Sequence, residues 1–203
     1  MVNFVLDLDE TLIHTMDVLP DKSPAMEKKS DFNFKLDNYY YYVLTRPGYK
    51  MFLEFLFKYF KVGIWTAADK EYAKHICKRI LTDSQLKKIE FIYSRGFCQI
   101  DHSSGSYSKP LTKIYEKHPS FKPHNTIMVD NTHHVMKYNL QNSIHIPDFN
   151  LKSNKDYYLY HIRNMIIQYF KKVKMNDKTP VFAMVYEINK FLKKYSKEEM
   201  FTY

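Results

Sequence analysis

The sequence predicts an α/β fold built on a parallel central sheet. Three observations carry this reading. Short apolar runs at Val2–Leu6, Lys61–Trp65 and Thr126–Val129 read as buried strands, since strands covered on both faces are apolar throughout instead of alternating. Each run stops at side chains suited to polar chemistry: Asp7 and Asp9, then Thr66, then Asp130 and Asn131. Between the runs lie segments with helical apolar spacing, and strands that alternate with helices imply parallel pairing.

The elements follow in order. Val2–Leu6 is the first strand. Residues 13–31, polar and interrupted by Pro20 and Pro24, are expected to be a loop. Phe32–Leu36 and Tyr40–Thr45 flank Asp37-Asn38, which reads as a β-hairpin, so the four-tyrosine run Tyr39–Tyr42 is taken as strand. After Arg46-Pro47-Gly48 a helix is expected to bury Phe52, Phe55, Leu56, Tyr59 and Phe60, spaced i, i+3, i+4, i+7, i+8. The strand Lys61–Trp65 follows. Asp69 is placed to cap a helix that buries Tyr72, Ala73, Ile76, Cys77, Ile80 and Leu81.

Glu90–Ser94 reads as a strand, and residues 95–108, with the turn cluster at 101–105, as a second hairpin. Phe97, Ile100 and Tyr107 could line a pocket there or simply pack the hairpin. A short helix over Leu111–Glu116 leads to the strand Thr126–Val129, and Ser143–Ile146 adds another. Two amphipathic helices close the chain. The first carries Ile162, Met165, Ile166, Tyr169, Phe170 and Val173; the second carries Val181, Met184, Val185, Ile188, Leu192 and Tyr195. No linker or repeat interrupts the pattern. The 203 residues are read as a single domain, 1–203, with a catalytic core over about 1–150 and C-terminal helices over about 155–196.

Charge and cysteine usage narrow the setting. Lys and Arg number 31 against 22 Asp and Glu, a net +9 that suits an anionic partner; a solvated basic surface explains it equally well. Two cysteines, Cys77 and Cys98, make neither a disulfide framework nor a zinc knuckle. No apolar run is long enough to span a bilayer. The chain enters its core strand without a basic and apolar leader, so an intracellular site, cytoplasm or nucleus, and no membrane partner are expected.

The polar strand ends belong together chemically. Parallel strands present their carboxyl ends on one edge, where open α/β sheets bind ligands. Paired carboxylates there are costly unless a cation or hydrogen bonds compensate them. A carboxylate can attack phosphorus to form an aspartyl-phosphate, provided a divalent cation relieves the repulsion. Mg²⁺ suits that task, because it takes hard oxygen ligands and keeps several waters. A second carboxylate two residues on can move protons, and a hydroxyl and an ammonium can hold the phosphoryl oxygens. The plain alternative is a capping or turn role for Asp7 and Asp9, and a surface position for Lys109.

Five segments carry a family resemblance. Asp7-Leu8-Asp9-Glu10-Thr11 resembles the first signature, DxDxT, of the haloacid dehalogenase superfamily. Within the wider segment Leu6–His14, and together with Thr45–Gly48, Trp65–Ala73, Tyr107–Leu111 and Val129–Thr132 in that order and spacing, it makes the chain resemble the phosphatases of the RNA polymerase II C-terminal domain (CTD), the small branch above all. The resemblance covers roughly residues 2–147. It implies a Rossmann-like sheet flanked by helices, with β-hairpin insertions and no large cap domain.

It also implies roles. Asp7 is the nucleophile and a metal ligand. Asp9 is the general acid/base, and its main-chain carbonyl binds the metal. Thr11 orders the loop. Thr66 and the backbone at Ala67 bind the phosphoryl group, and Lys109 neutralises it. Asn131 is a metal ligand, and Asp130 supports Lys109. Mg²⁺ is the implied cofactor, and phosphoserine or phosphothreonine in a protein or peptide the implied substrate. Arg46 either touches substrate or, more simply, forms a structural salt bridge.

Three features depart from the branch. Pro110 follows Lys109 where an acidic residue is usual, His133-His134 follow Thr132, and segments 14–31 and 95–108 share little detail with it. Adjacent histidines point in different directions and lack a third ligand, so they read as loop residues and not a zinc site. Two other readings stand beside the phosphoprotein phosphatase: a phosphatase of nucleotides or nucleic-acid ends, which the +9 charge permits but does not favour, and a catalytically silent binding module.

Overall fold

The computed structural model describes residues 1–101, 105–149, 156–173 and 180–200. The chain opens with strand β1 (Asn3–Leu6), buried at all four positions. Strand β2 (Ile13–Leu19), helix α1 (Pro24–Lys29) and strands β3 (Phe32–Leu36) and β4 (Tyr39–Thr45) follow. Next come α2 (Tyr49–Tyr59), β5 (Lys61–Trp65), α3 (Lys70–Ile80), α4 (Asp83–Lys88) and β6 (Ile92–Tyr93). The remainder is β7 (Gln99–Ile100), β8 (Tyr107–Ser108), α5 (Thr112–Lys117), β9 (Thr126–Asp130), β10 (Ser143–His145), α6 (Tyr158–Lys172) and α7 (Phe182–Met200).

Five strands form one sheet in the order β10-β9-β1-β5-β6, and every pairing in it is parallel. The α/β class read from the sequence is therefore the class observed. The chain leaves central β1 towards β5 and β6, then returns to its other side for β9 and β10. The strand order thus reverses at β1, which opens a crevice at the carboxyl ends of β1 and β9. The register pairs Leu6 with Ile64 and with Val129, so Asp7, Trp65-Thr66 and Asp130 lie at one edge.

Helices α2, α3, α6 and α7 pack on one face of the sheet, in the main core, and α5 packs on the other, in a second core cluster with Val5, Trp65, Phe91 and Met128. α2 buries Phe52, Leu53 and Leu56, while Phe55 is half-buried and Tyr59 is 54% exposed, so Leu53 takes the place expected of Tyr59. Asp69 caps α3 by accepting from the Tyr72 amide at 2.9 Å. α6 and α7 pack Leu159, Ile162, Ile166, Met184, Val185 and Ile188 into the main core.

Residues 13–31 are not a loop. Ile13–Leu19 pairs antiparallel with β4, so the first insertion is a three-stranded sheet, β2-β4-β3. The pairing shifts register between Thr15 and Asp17, and such a bulge breaks the alternation that would reveal a strand. α1 starts at Ser23, whose side chain accepts from the Met26 amide, with Pro24 in the first turn. α4 has no counterpart among the elements expected from the sequence, although Thr82 and Gln85 form a capping box readable there. The second insertion is the hairpin β7-β8; residues 102–104 of its turn lie outside the described residues. Within it Phe97 stacks on Tyr93 at 3.9 Å, whereas Ile100 is 47% exposed, so Phe97 packs and Ile100 faces outward.

Candidate active site

Three chain segments converge at the crevice. Asp7 directly follows β1, and its amide donates to the Val129 carbonyl at 3.0 Å. Asp130 ends β9. Lys109 follows β8, and its ammonium lies 2.5 Å from Asp7 Oδ1 and 2.8 Å from Asp130 Oδ2. All three side chains are buried. The Lys109 backbone is held at both ends: its amide donates to the Val135 carbonyl at 3.0 Å, and its carbonyl accepts from Asn139 Nδ2 at 2.6 Å. Asn139 Oδ1 also accepts from the Leu111 amide at 2.9 Å. Pro110 is accommodated because Asn139 supplies the acceptor ahead of α5, which has no side-chain N-cap of its own.

The charges do not cancel. Asp7 and Asp130 share one ammonium and Asp9 lies close by, leaving a negative excess in a poorly solvated place. The Asp7 carboxyl is raised to about 7, by burial first and by Asp130 and Asp9 as well, with Lys109 pulling against them. Burial works against the charged form of Lys109, but Asp130 and Asp7 outweigh it and raise its pKa, so it stays an ammonium. The same excess suits a hard cation.

Oxygen donors for such a cation are present. Lys109 engages Asp7 Oδ1, and among the described residues Asp7 Oδ2 takes no hydrogen bond. Asn131 donates through Nδ2 to Asp148 at 2.8 Å, which turns its amide oxygen towards Thr11, whose hydroxyl lies 3.3 Å away. No group of three or more His, Cys, Asp or Glu among the described residues could hold a metal.

Asp9 points elsewhere. Its Oδ2 accepts from the Thr66 hydroxyl at 3.2 Å and its Oδ1 from the Tyr72 hydroxyl at 2.5 Å. Burial raises its pKa, against the lowering effect of those two hydrogen bonds. Thr66 Oγ1 also accepts from the Ala68 amide at 3.0 Å, which shapes the loop after β5. The Ala67 carbonyl accepts from Arg95 Nε at 2.8 Å, while no hydrogen bond ties the Ala67 amide among the described residues.

Arg46 lies behind the loop, fully buried. Its Nε donates to Asp156 at 2.9 Å and 3.1 Å, one Nη to the carbonyls of Glu10 and Thr11 at 3.1 Å and 3.2 Å, and the other to Pro147 at 2.8 Å. Glu10 has a left-handed backbone, φ 58°, and its carbonyl also accepts from the Phe149 amide at 2.8 Å. Arg46 thus clamps the loop that carries Asp7 and Asp9 to the segment after β10. It is a structural salt bridge and has no exposed surface for substrate.

Sequence reasoning missed four residues here. Tyr72 looked like core because it falls on the buried face of α3, and the hydroxyl gave no separate signal. Thr15 lies in β2, in the segment expected to be a loop. Asn139 and Asp148 follow no motif, although an acidic residue after the β10 strand, beside the Asp130 strand end, was a usable hint. His133 and His134 are exposed in a 3₁₀ turn and gather no metal-ligand set.

The parallel sheet flanked by helices is similar to the folds of Fcp1 and of a solved Had-superfamily hydrolase from Ehrlichia chaffeensis. A solved structure of Fcp1, an essential RNA polymerase II CTD phosphatase, superposes with a TM-score of 0.54 at 19% identity, covering 95% of this chain and 61% of that one. The profile of the NLI interacting factor-like phosphatases matches residues 2–179, and the chain belongs to that family. It is 32% identical over 166 residues to the putative CTD phosphatase-like protein 355R of Invertebrate iridescent virus 6, covering 78% of this chain and 91% of the relative. It is 33% identical over 147 residues to the CTD small phosphatase-like protein 3 of Caenorhabditis elegans, covering 71% and 46% respectively. Haloacid dehalogenase-type phosphatases generally use Mg²⁺. No helix among the described residues is long and apolar enough to cross a membrane.

Proposed function

We propose that this chain is a Mg²⁺-dependent phosphatase that passes the phosphoryl group through Asp7 and acts on phosphoserine or phosphothreonine in proteins. The observation that carries this is the buried Lys109 ammonium bridging Asp7 and Asp130 at the carboxyl edge of the sheet. An ammonium so placed orients the nucleophile and neutralises phosphoryl oxygens as they arrive.

The chemistry has two halves. Asp7 attacks phosphorus, the ester P–O bond breaks, and Asp9 gives a proton to the departing oxygen. Asp9 then takes a proton from a water, which attacks the phosphorus of the aspartyl-phosphate; inorganic phosphate leaves and Asp7 is restored. Lys109 stays protonated throughout. Thr66 and the Ala67 amide hold phosphoryl oxygens, the Thr66 hydroxyl exchanging Asp9 for the phosphate. Bound Mg²⁺ would supply the charge that lets a dianion approach Asp7, held by the Asp7 carboxylate, the Asp9 carbonyl and the Asn131 amide oxygen.

The substrate class rests on access. Asp9 is only half-buried, and the two insertions among the described residues are small sheets, which leaves room for a side chain on a folded or extended protein. The relative from Caenorhabditis elegans, named a CTD small phosphatase-like protein, points the same way. The test is a panel of phosphoserine peptides, nucleotides and 5′-phosphorylated DNA, each assayed with Mg²⁺ and with EDTA. Phosphopeptides should be turned over with the highest kcat/KM, and EDTA should stop all turnover. A preference for nucleotides or DNA ends, with steep salt dependence, would replace the substrate assignment.

A further inference from the structure

We propose that Tyr72 is a positioning residue for the acid/base step: its hydroxyl fixes the Asp9 carboxylate, and Thr15 of the insertion sheet fixes that hydroxyl. This rests on the assignment of Asp9 as the general acid/base.

The geometry is specific. Both oxygens of Asp9 are held, Oδ1 by Tyr72 at 2.5 Å and Oδ2 by Thr66 at 3.2 Å. When phosphate takes the Thr66 hydroxyl, Tyr72 is the side-chain contact that remains. Thr15 Oγ1 lies 2.7 Å from the Tyr72 hydroxyl, so the phenol is aimed by a second residue. The ring itself cannot swing freely. Tyr72 is 6% exposed and packs against Phe34 and Tyr41 with centroids 5.9 Å and 5.5 Å apart. Phe34 in turn stacks on Tyr41 at 5.0 Å and on His75 at 4.9 Å. A rigid aromatic cluster shared by β3, β4 and α3 therefore ends in one hydroxyl on Asp9. A carboxylate that must donate and then accept a proton at one place gains from a fixed orientation.

A purely structural role for Tyr72 would rest on its ring, and Tyr72→Phe keeps the ring. Turnover of a phosphoserine peptide and of an aryl phosphate by Tyr72→Phe, Asp9→Asn and the double variant separates the cases. For Tyr72→Phe, kcat should fall about tenfold or more, with KM and Tm close to those of the unaltered protein. In the Asp9→Asn background the same change should alter kcat by less than about twofold, because a residue that acts through Asp9 then has nothing to position. An unchanged kcat for Tyr72→Phe overturns the proposal, as does an equal fractional loss in both backgrounds. Full turnover by Asp9→Asn alone overturns the role of Asp9, and the proposal with it, without reference to Tyr72.

Discussion

The Lys109 ammonium lies 2.5 Å from the Asp7 carboxylate, and both side chains are almost completely buried. Asp130 sits on the other side of the same ammonium at 2.8 Å. Lys109 bridges the carboxyl ends of β1 and β9 where they would otherwise repel each other. Lys109→Met keeps the reach and removes the charge. It should cost about 3–5 kcal/mol in Mg²⁺-free urea unfolding, the range for stranding a buried ion. Turnover should fall by about 10²–10³. A loss under about 1 kcal/mol would mean the carboxylates are solvated and the burial argument is wrong.

Mg²⁺ should stabilise the protein more at neutral pH than in acid. Asp7 is raised from 3.8 to about 7 in the metal-free protein, by burial first. Its folded pKa exceeds its unfolded one, so the folded state binds the proton more tightly. The stability this gives is full below the unfolded value and is lost as pH rises through about 7. A cation that compensates the ionised form restores it there. Melting curves with Mg²⁺ and with EDTA across this window should show a Tm gain that grows with pH; a gain larger at the acid end contradicts the account.

Arg46 should matter to folding and little to substrate affinity. Arg46→Met strands Asp156 and frees the carbonyls of Glu10, Thr11 and Pro147. A destabilisation of about 3–5 kcal/mol is expected. At a temperature where the variant stays folded, KM for a phosphopeptide should be unchanged within about twofold, a factor worth roughly 0.4 kcal/mol. A normal Tm with a raised KM would make Arg46 a substrate contact after all.

Gly63 is required by packing and not by its backbone angles. A Cβ there would meet the Phe91 ring at 2.2 Å, too close without movement of a ring that lies in the second core cluster. Gly63→Ala should cost about 1–3 kcal/mol by overpacking β5. The double variant with Phe91→Leu should recover part of that in a urea titration. Additive losses would show that the two positions do not compete for space.

The fold was legible where burial is two-sided. Val2–Leu6, Lys61–Trp65 and Thr126–Val129 announce themselves because a parallel strand needs apolar residues on both faces, and Asp7, Thr66 and Asp130 mark the ends. Ile13–Leu19 stayed hidden because the register shift between Thr15 and Asp17 breaks the period. Along the chain, Asp7, Asp9, Lys109 and Asn131 stand in the motifs that carry the family resemblance, and the structure brings Lys109 against Asp7. Contacts that depend on an atom instead of a residue pattern were not legible: the Tyr72 hydroxyl, the Asn139 amide and the Asp148 carboxylate each act across the fold. Arg46 shows the same limit, since its partner Asp156 stands 110 residues away.

The central claim is that Asp7 carries the phosphoryl group. Quenching a turnover reaction with borohydride reduces an aspartyl-phosphate to homoserine, and peptide mass mapping locates it. With substrate and Mg²⁺, the label should appear at position 7, increase in Asp9→Asn, and vanish without substrate. Release of inorganic phosphate with no label at position 7, alongside full turnover by Asp7→Asn, would contradict the account.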